Sequence, residues 1–415
     1  MTTSNTDNQI FLKNPKITKA VLLFSGMMTI MGGALISPDL PRIQAYFAAV
    51  PSIAVITPFI LTIVALSIII MSPFIGTLID KVGKRNIFLA SLVLYAIGGS
   101  GGIYLDNIWA LMVSRVVLAV AIGILTACTL TLAADYFHGR ERHEFMGIFT
   151  ASMSLGGVIF VSASGYLADI GWRMPFILYL FSLIVLPFAV LSIPETKEIM
   201  AKRAKTVAVN INQAPQKAKI ILIYLLPFFS MVFLYIFAVQ IPFYVNILAV
   251  GTSFLAGIII AAMNVLQTFA GIFYGRSVGI KPAHIMEAFF LLESLGFIII
   301  SLAHSSLLLI IGASFCGFGM GIMMAASNMW VTTIAPDIDR GKYVVALTMM
   351  VYLGQFLSPF IAMPVVNMFG YSAPYGFFAQ VGMLCLGIFI IAVLISVISN
   401  KKGKKNFFTA RAITD

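Results

Sequence analysis

Residues 76–85 read Gly-Thr-Leu-Ile-Asp-Lys-Val-Gly-Lys-Arg, a short charged stretch that lies between two long apolar segments. Its glycines and charged residues are Gly76, Asp80, Lys81, Gly83, Lys84 and Arg85. Two glycines let the ends of adjacent helices turn sharply and pack closely. An acid and bases beside them can neutralise the neighbouring helix ends. The stretch therefore predicts a tight turn between two packed helices.

The composition excludes a water-soluble globule. The chain has 415 residues, of which 60% are hydrophobic and 10% charged, and its mean hydropathy is +1.02. Soluble domains are about half apolar and about a quarter charged. Apolar runs of about 20 residues, enough for a helix to cross a bilayer, recur along the chain. The runs are continuous rather than alternating, which favours transmembrane helices over a β-barrel.

Twelve of these runs are predicted to be transmembrane helices, which we call spans 1 to 12 in chain order. They lie at about residues 17–38, 52–75, 86–105, 108–134, 145–168, 174–194, 219–241, 249–274, 283–303, 306–333, 343–369 and 375–399. The predicted organisation is a six-helix half (1–194), a polar linker (195–218), a second six-helix half (219–400) and a basic tail (401–415). The stretch 76–85 has a weaker echo at 271–281, which indicates repeated halves. Such repeats place a substrate site between the halves, near the membrane midplane.

The formal net charge of +11 indicates orientation rather than nucleic-acid binding. With the spans above, one side of the membrane collects the basic residues of the N-terminus, the linker, the tail and alternate loops. The other side holds only Arg42 and Arg173. By the positive-inside rule, both termini and the linker are expected to be cytoplasmic. No cleavage site follows the N-terminal lysines, so the first apolar run is expected to be a retained helix.

The stretch 76–85 resembles the loop signature of the major facilitator superfamily, G-x-L-x-D-[RK]-x-G-[RK]-[RK], at every informative position. With the twelve spans and repeated halves, the resemblance covers nearly the entire chain and implies an all-α membrane bundle of two six-helix halves. In that family the acid matching Asp80 lies by the start of span 11, and the base matching Lys84 reaches an acid at the end of span 4, here Asp135. The implied role is a latch that holds the cytoplasmic side shut. The alternative is a loop that only sets topology.

Within that superfamily, further residues resemble the twelve-span drug/proton antiporters. Pro38 to Pro41 looks like the P-x-x-P feature of span 1, and Arg115 resembles the arginine of the R-x-x-Q-G motif of span 4. In span 5 the motif G-x-x-x-G-P-x-x-G-G would align with residues 156–165. However, Phe160, Val161 and Ser164 replace a glycine, the proline and another glycine. This departure favours uptake or facilitated diffusion over export.

Proton coupling would need a carboxyl group that binds and releases a proton. Burial disfavours the charged form of a carboxyl and so suits reversible protonation. The candidates are Asp39 at the outer edge of span 1, which could instead be wetted at the membrane surface, and Glu293 within span 9. The family places span 9 away from the cavity, so Asp39 is preferred. Arg115, expected to face the cavity as a charge inside hydrocarbon, could pair with Asp39 or instead bond the carbonyls of a bent span 1.

Uncharged polar residues in the second half are candidates for the substrate cavity, because polar side chains are unfavourable against lipid. They could equally bond neighbouring helices. They are Gln240, Tyr244, Asn264, Gln267, Asn328 and Gln355.

The resemblance implies a secondary active transporter that exports a small, partly apolar organic compound in exchange for protons, by alternating access. The alternative is proton-linked uptake or facilitated diffusion of a metabolite. We expect a monomer in the lipid bilayer of a bacterial inner membrane, with no cofactor, metal or nucleic-acid partner. A membrane receptor or embedded enzyme would need a catalytic constellation or a large soluble domain. The sequence shows no P-loop, metal-ligand cluster or nucleophile elbow.

Overall fold

The structure is a computed structural model that describes residues 14–137, 139–194, 217–276, 282–334, 340–369 and 374–401. Nearly all of these residues are helical, and no β-strand occurs among them. Most of the predicted linker, the tail beyond Lys401 and the end of the 271–281 echo lie outside the described residues. The predicted all-α class is confirmed.

Twelve helical stretches in the described part of the chain are long and apolar enough to cross a bilayer. Six belong to the compact unit Met1–Asn210 and six to the compact unit Ile211–Asp415. The helices that build them are Pro15–Ala34 with Leu40–Tyr46, Ile53–Val82, Lys84–Gly99, Ile108–Tyr136, Gly139–Ile170, the 3₁₀ helix Met174–Leu180 with Phe181–Ser192, Lys217–Leu248, Ser253–Arg276, Pro282–Ser301, Ser306–Ile334, Arg340–Phe369 and Pro374–Lys401. We keep the span numbers for them.

The two units repeat one packing scheme. In the first unit, span 1 packs on span 5, span 2 on span 4, and span 3 on spans 4 and 6. In the second unit, span 7 packs on span 11, span 8 on span 10, and span 9 on spans 10 and 12. Adding six to each span number of the first unit gives the pairs of the second. The repeat read from the sequence is therefore present within the helix pairings of each unit.

Small residues allow the backbones of the paired helices to approach closely, as is common in membranes. A Cβ atom at Gly156 of span 5 would lie 2.7 Å from the Cα of Met27 in span 1. A Cβ atom at Gly354 of span 11 would collide with the backbone carbonyl of Phe228 in span 7. Equivalent glycines thus set the spacing of equivalent pairs.

Two local predictions were wrong in detail. Span 1 does not end at the prolines, because a 3₁₀ turn at Ser37–Asp39 leads into the short helix Leu40–Tyr46. Span 2 continues through Gly76 to Val82, so Gly76 is a helical residue and makes no turn. The turn is made by Gly83 alone, whose φ of 91° is a conformation that favours glycine.

Candidate functional site

The end of the first unit that carries residues 76–85, here called the Lys84 end, is held together by an ion pair. Lys84 lies at the start of span 3 and is only 8% exposed. Its Nζ donates a hydrogen bond to Oδ2 of Asp135, in the last turn of span 4. Because the polar groups lie at the ends of two packed helices, the pair joins those ends directly.

The other members of the stretch differ in their contacts. Arg85 Nη2 donates to the carbonyl of Val190 in span 6, at 3.0 Å. Lys81 is exposed, and no described atom lies within 4 Å of the position of a Cβ at Gly76. The side chain of Asp80 lies outside what the structure describes. Its contact with span 11, which the resemblance implies, stays a prediction.

Asp39 lies at the opposite end of the first unit, here called the Asp39 end. It is the last residue of the turn in span 1 and is completely buried. Neither of its carboxyl oxygens has a hydrogen-bond partner among the described residues. The alternative in which Asp39 is wetted at the surface is therefore wrong. A buried polar group without a partner is costly, so its presence here calls for an explanation.

An ion pair that the sequence analysis did not predict lies beside Asp39. Arg42 Nη2 donates to Oδ1 of Asp169 at 3.0 Å, which links span 1 to the last turn of span 5. From the sequence alone, Arg42 serves only as an orientation signal. No spacing indicates the pair, because Arg42 and Asp169 are 127 residues apart in the chain.

Arg173 forms a second cluster at the Asp39 end. Its Nη1 donates to the carbonyl oxygens of Gly102 and Ile103, at 3.0 and 3.1 Å. Its Nη2 donates to the carboxylate of Asp106, which also accepts a hydrogen bond from Tyr46. The guanidinium stacks on Trp172 with 4.3 Å between its central carbon and the ring centroid. These contacts fasten the loops after spans 3 and 5 to the end of span 1.

Arg115 does not form the predicted pair with Asp39. It is 1% exposed, and its Nη2 donates to the carbonyl of Gly99, at the end of span 3, at 2.8 Å. Its guanidinium carbon lies 4.9 Å from the ring centroids of both Phe176 and Tyr179, at the start of span 6. The alternative expectation, that Arg115 bonds the carbonyls of a bent span 1, was also wrong, because Arg115 donates to a carbonyl of span 3. The described contacts place it between spans 3, 4 and 6.

Glu293 is the second buried carboxyl. It is 0% exposed, in the middle of span 9. Apart from the weak thiol donor of Cys316 in span 10, its oxygens have no partner in the described ranges. Cys385 of span 12 is also close enough to interact with it. Glu293 therefore lies in the packed contact of spans 9, 10 and 12.

The six polar candidates of the second unit fall into different environments. Tyr244 is buried, and its hydroxyl donates to the carbonyl of Ile300 in span 9 at 2.9 Å, so it bonds a neighbouring helix. Gln355 is buried and Asn328 is exposed, with Nδ2 of Asn328 donating to the carbonyl of Met324 at 2.8 Å. Partly exposed candidates are Gln240 of span 7 and, in span 8, Asn264 and Gln267.

The sequence comparisons identify two resistance proteins as relatives. The quinolone resistance protein NorA of Staphylococcus aureus is 29% identical over 156 residues, which are 38% of this chain and 39% of NorA. The class H tetracycline resistance protein of Pasteurella multocida is 27% identical over 157 residues, with the same coverage. The alignments therefore span about two fifths of each relative's length.

Solved structures and a family model extend the likeness along the chain. A D-xylose-proton symporter superposes with a TM-score of 0.71 at 15% identity, covering 92% of this chain and 97% of the symporter. A bacterial homologue of the human lysosomal transporter Spinster has a TM-score of 0.71 at 14% identity, covering 93% and 97%. The model of the Major Facilitator Superfamily matches residues 22–359. With this match over most of its length, the chain belongs to the Major Facilitator Superfamily, and its twelve membrane-length helices make it a multi-pass membrane protein.

Proposed function

We propose that this transporter exports a small, partly apolar organic compound in exchange for protons, by alternating access in a bacterial inner membrane. The observation that carries the proposal is Asp39, a fully buried carboxyl whose two oxygens have no hydrogen-bond partner in the part of the chain that the structure describes. Removing the proton from a buried carboxyl costs free energy unless a cation pairs with the carboxylate. A change of conformation that brings a cation to Asp39 or takes it away can therefore control proton release and uptake there. The names of the two resistance proteins support export as the direction.

Asp39 suits the proton carrier better than Glu293 because of its neighbours. The pair beside it is partly exposed, since the side chains of Arg42 and Asp169 are 40% and 23% exposed. A partly exposed charged pair next to Asp39 supports proton access to that carboxyl. The described groups near Glu293 are two buried thiols, which are weak hydrogen-bonding groups. We assign Glu293 to the packing of spans 9, 10 and 12.

The other predicted residues receive structural or ligand-contact roles in this proposal. The pair of Lys84 and Asp135 supports a latch at the Lys84 end, to which Asp80 would contribute its charge. The stacked guanidinium of Arg115 supports a role in packing rather than in proton transfer. Asn264 and Gln267 lie one turn apart and are partly exposed, which suits ligand contact.

Uptake or facilitated diffusion remains the second candidate, favoured by span 5. Where the antiporter motif has glycine, Ser164 donates a hydrogen bond to the carbonyl of Leu35. Where it has another glycine, Phe160 packs on Phe181 with 5.2 Å between ring centroids. These side chains fill positions that the motif leaves empty, so the contacts of span 5 with spans 1 and 6 differ from those that glycine would allow.

The sign of a proton flux distinguishes the candidates. Purified protein in proteoliposomes that contain a pH-sensitive dye would receive compounds from a library that includes tetracycline and norfloxacin. An exchanger moves protons out as the compound enters, so the lumen becomes alkaline. A symporter makes the lumen acidic, and a facilitator leaves its pH unchanged. Empty liposomes and Asp39→Asn proteoliposomes correct for compounds that carry protons by themselves. Acidification, or entry without a pH change, would contradict exchange.

A further inference from the structure

The carboxyl of Asp39 is close to one cation and one other acid. Arg42 lies three residues further along span 1, one helical turn away. Asp169 belongs to span 5, which packs against the Ser37–Asp39 turn. Arg42 and Asp169 are both near enough to Asp39 for their charges to act on its carboxyl. Arg173, the other cation at this end, is engaged with Asp106.

The charges of Asp39, Arg42 and Asp169 do not cancel when all three groups are ionised. With a proton on Asp39 the cluster is neutral, because Arg42 and Asp169 cancel. Without that proton, two carboxylates share one guanidinium. The oxygens of Asp39 are buried and accept no hydrogen bond from any described atom, whereas Asp169 is partly exposed and can be hydrated. A buried carboxylate gains far more from a cation than an exposed one does.

We propose that Arg42 is exchanged between the two carboxylates. It pairs with Asp169, the pairing seen in this structure, while Asp39 holds a proton, and it pairs with Asp39 when the proton has left. The exchange breaks and remakes the link between spans 1 and 5, so that the proton on Asp39 controls how these helices are joined. The inference rests on the proposed function, in which Asp39 carries the proton. It adds Arg42 and Asp169 as positioning residues.

Substitution of the two positioning residues should act in opposite directions. Asp169→Asn frees Arg42 for Asp39 and removes a negative charge, so the carboxylate of Asp39 is stabilised and Asp39 titrates at lower pH. Arg42→Gln removes the cation, so Asp39 titrates at higher pH. Each shift should be about one pH unit, the lower end of the range for a neighbouring charge. If Arg42 and Asp169 had only a structural role, the two substitutions would not shift the titration midpoint of Asp39 in opposite directions.

The titration can be measured without a known substrate. The infrared absorption of protonated carboxyl groups would be followed against pH in the purified full-length protein in lipid nanodiscs. Subtracting the same titration of Asp39→Asn isolates the Asp39 signal. Asp106→Asn is the matched control, because it neutralises another acid at the same end that bonds Arg173 rather than Arg42. The control should leave the midpoint of Asp39 where it is in the native protein.

Opposite shifts with an unmoved control would support the exchange. Unshifted midpoints, or shifts of the same sign, would overturn it while leaving Asp39 as the proton carrier. An Asp39 that shows no titration would overturn the proposed function itself, which is a separate result. If Arg42→Gln does not fold, Asp169→Asn decides the question together with Arg42→Lys, which keeps the charge and should keep the midpoint near the native value.

Discussion

Lys84, at the start of span 3, donates a hydrogen bond to the carboxylate of Asp135, in the last turn of span 4. The two side chains are only 9% and 17% exposed. Removing one member of a buried ion pair leaves an uncompensated charge, which costs about 3 to 5 kcal/mol, whereas replacing both members is often nearly neutral. This contact therefore makes the stability of the Lys84 end depend on two residues jointly.

Lys84→Gln should destabilise the purified protein by about 3 kcal/mol, because Asp135 is left without its cation. The double substitution Lys84→Gln with Asp135→Asn should recover most of that loss. Reversible unfolding in mixed micelles gives the three free energies. Strictly additive losses in the double variant would show that the two side chains do not act on each other.

Gly83→Ala should be harmful and Gly76→Ala should be tolerated. Gly83 has φ 91° and ψ 144°, a conformation in which a side chain costs about 1 to 3 kcal/mol. Gly76 is helical with no described atom within 4 Å of its Cβ position, so alanine fits there. The amount of folded protein and its unfolding temperature in detergent compare the pair. Equal loss in both variants would contradict the assignment of the turn to Gly83.

Arg115→Lys should reduce stability by about 1 kcal/mol or more without shifting the pH dependence of transport. Lysine keeps the charge but lacks the planar group that stacks on Phe176 and Tyr179. Because Arg115 has no contact with Asp39 within the described residues, proton binding should not change. Unfolding, and the flux against pH of the compound found in the library screen, are the two measurements. A displaced pH profile with native stability would restore Arg115 to the proton pathway.

The basic loops predict the orientation of the protein in the membrane. An alkaline phosphatase fusion after Lys205, in the linker, should be inactive because the positive-inside rule predicts a cytoplasmic linker. A fusion after Asp106, in the loop between spans 3 and 4, should be active. Activity of the first fusion and inactivity of the second would reverse the topology, and with it the direction proposed for transport.

Features of the fold that depend on local sequence pattern could be predicted from the sequence. Apolar runs determine the number of spans, and the glycine and charges of residues 76–85 indicated a turn whose Lys84 meets Asp135 in the structure. The prediction that Gly76 helps to form the turn was wrong, because a single glycine is tolerated inside a helix. Neither the pair of Arg42 with Asp169 nor the stacking of Arg115 could be read from spacing. Each depends on how side chains from helices distant in sequence meet.

The central claim is that Asp39 carries the exchanged proton, and drug flux driven by a pH gradient tests it most directly. In proteoliposomes, Asp39→Asn should retain binding and downhill flux of the compound found in the library screen but lose gradient-driven accumulation. Glu293→Gln should keep most of that accumulation. Full accumulation by Asp39→Asn together with its loss in Glu293→Gln would contradict the account and place the proton site in span 9. Full accumulation by both variants would contradict coupling through either carboxyl.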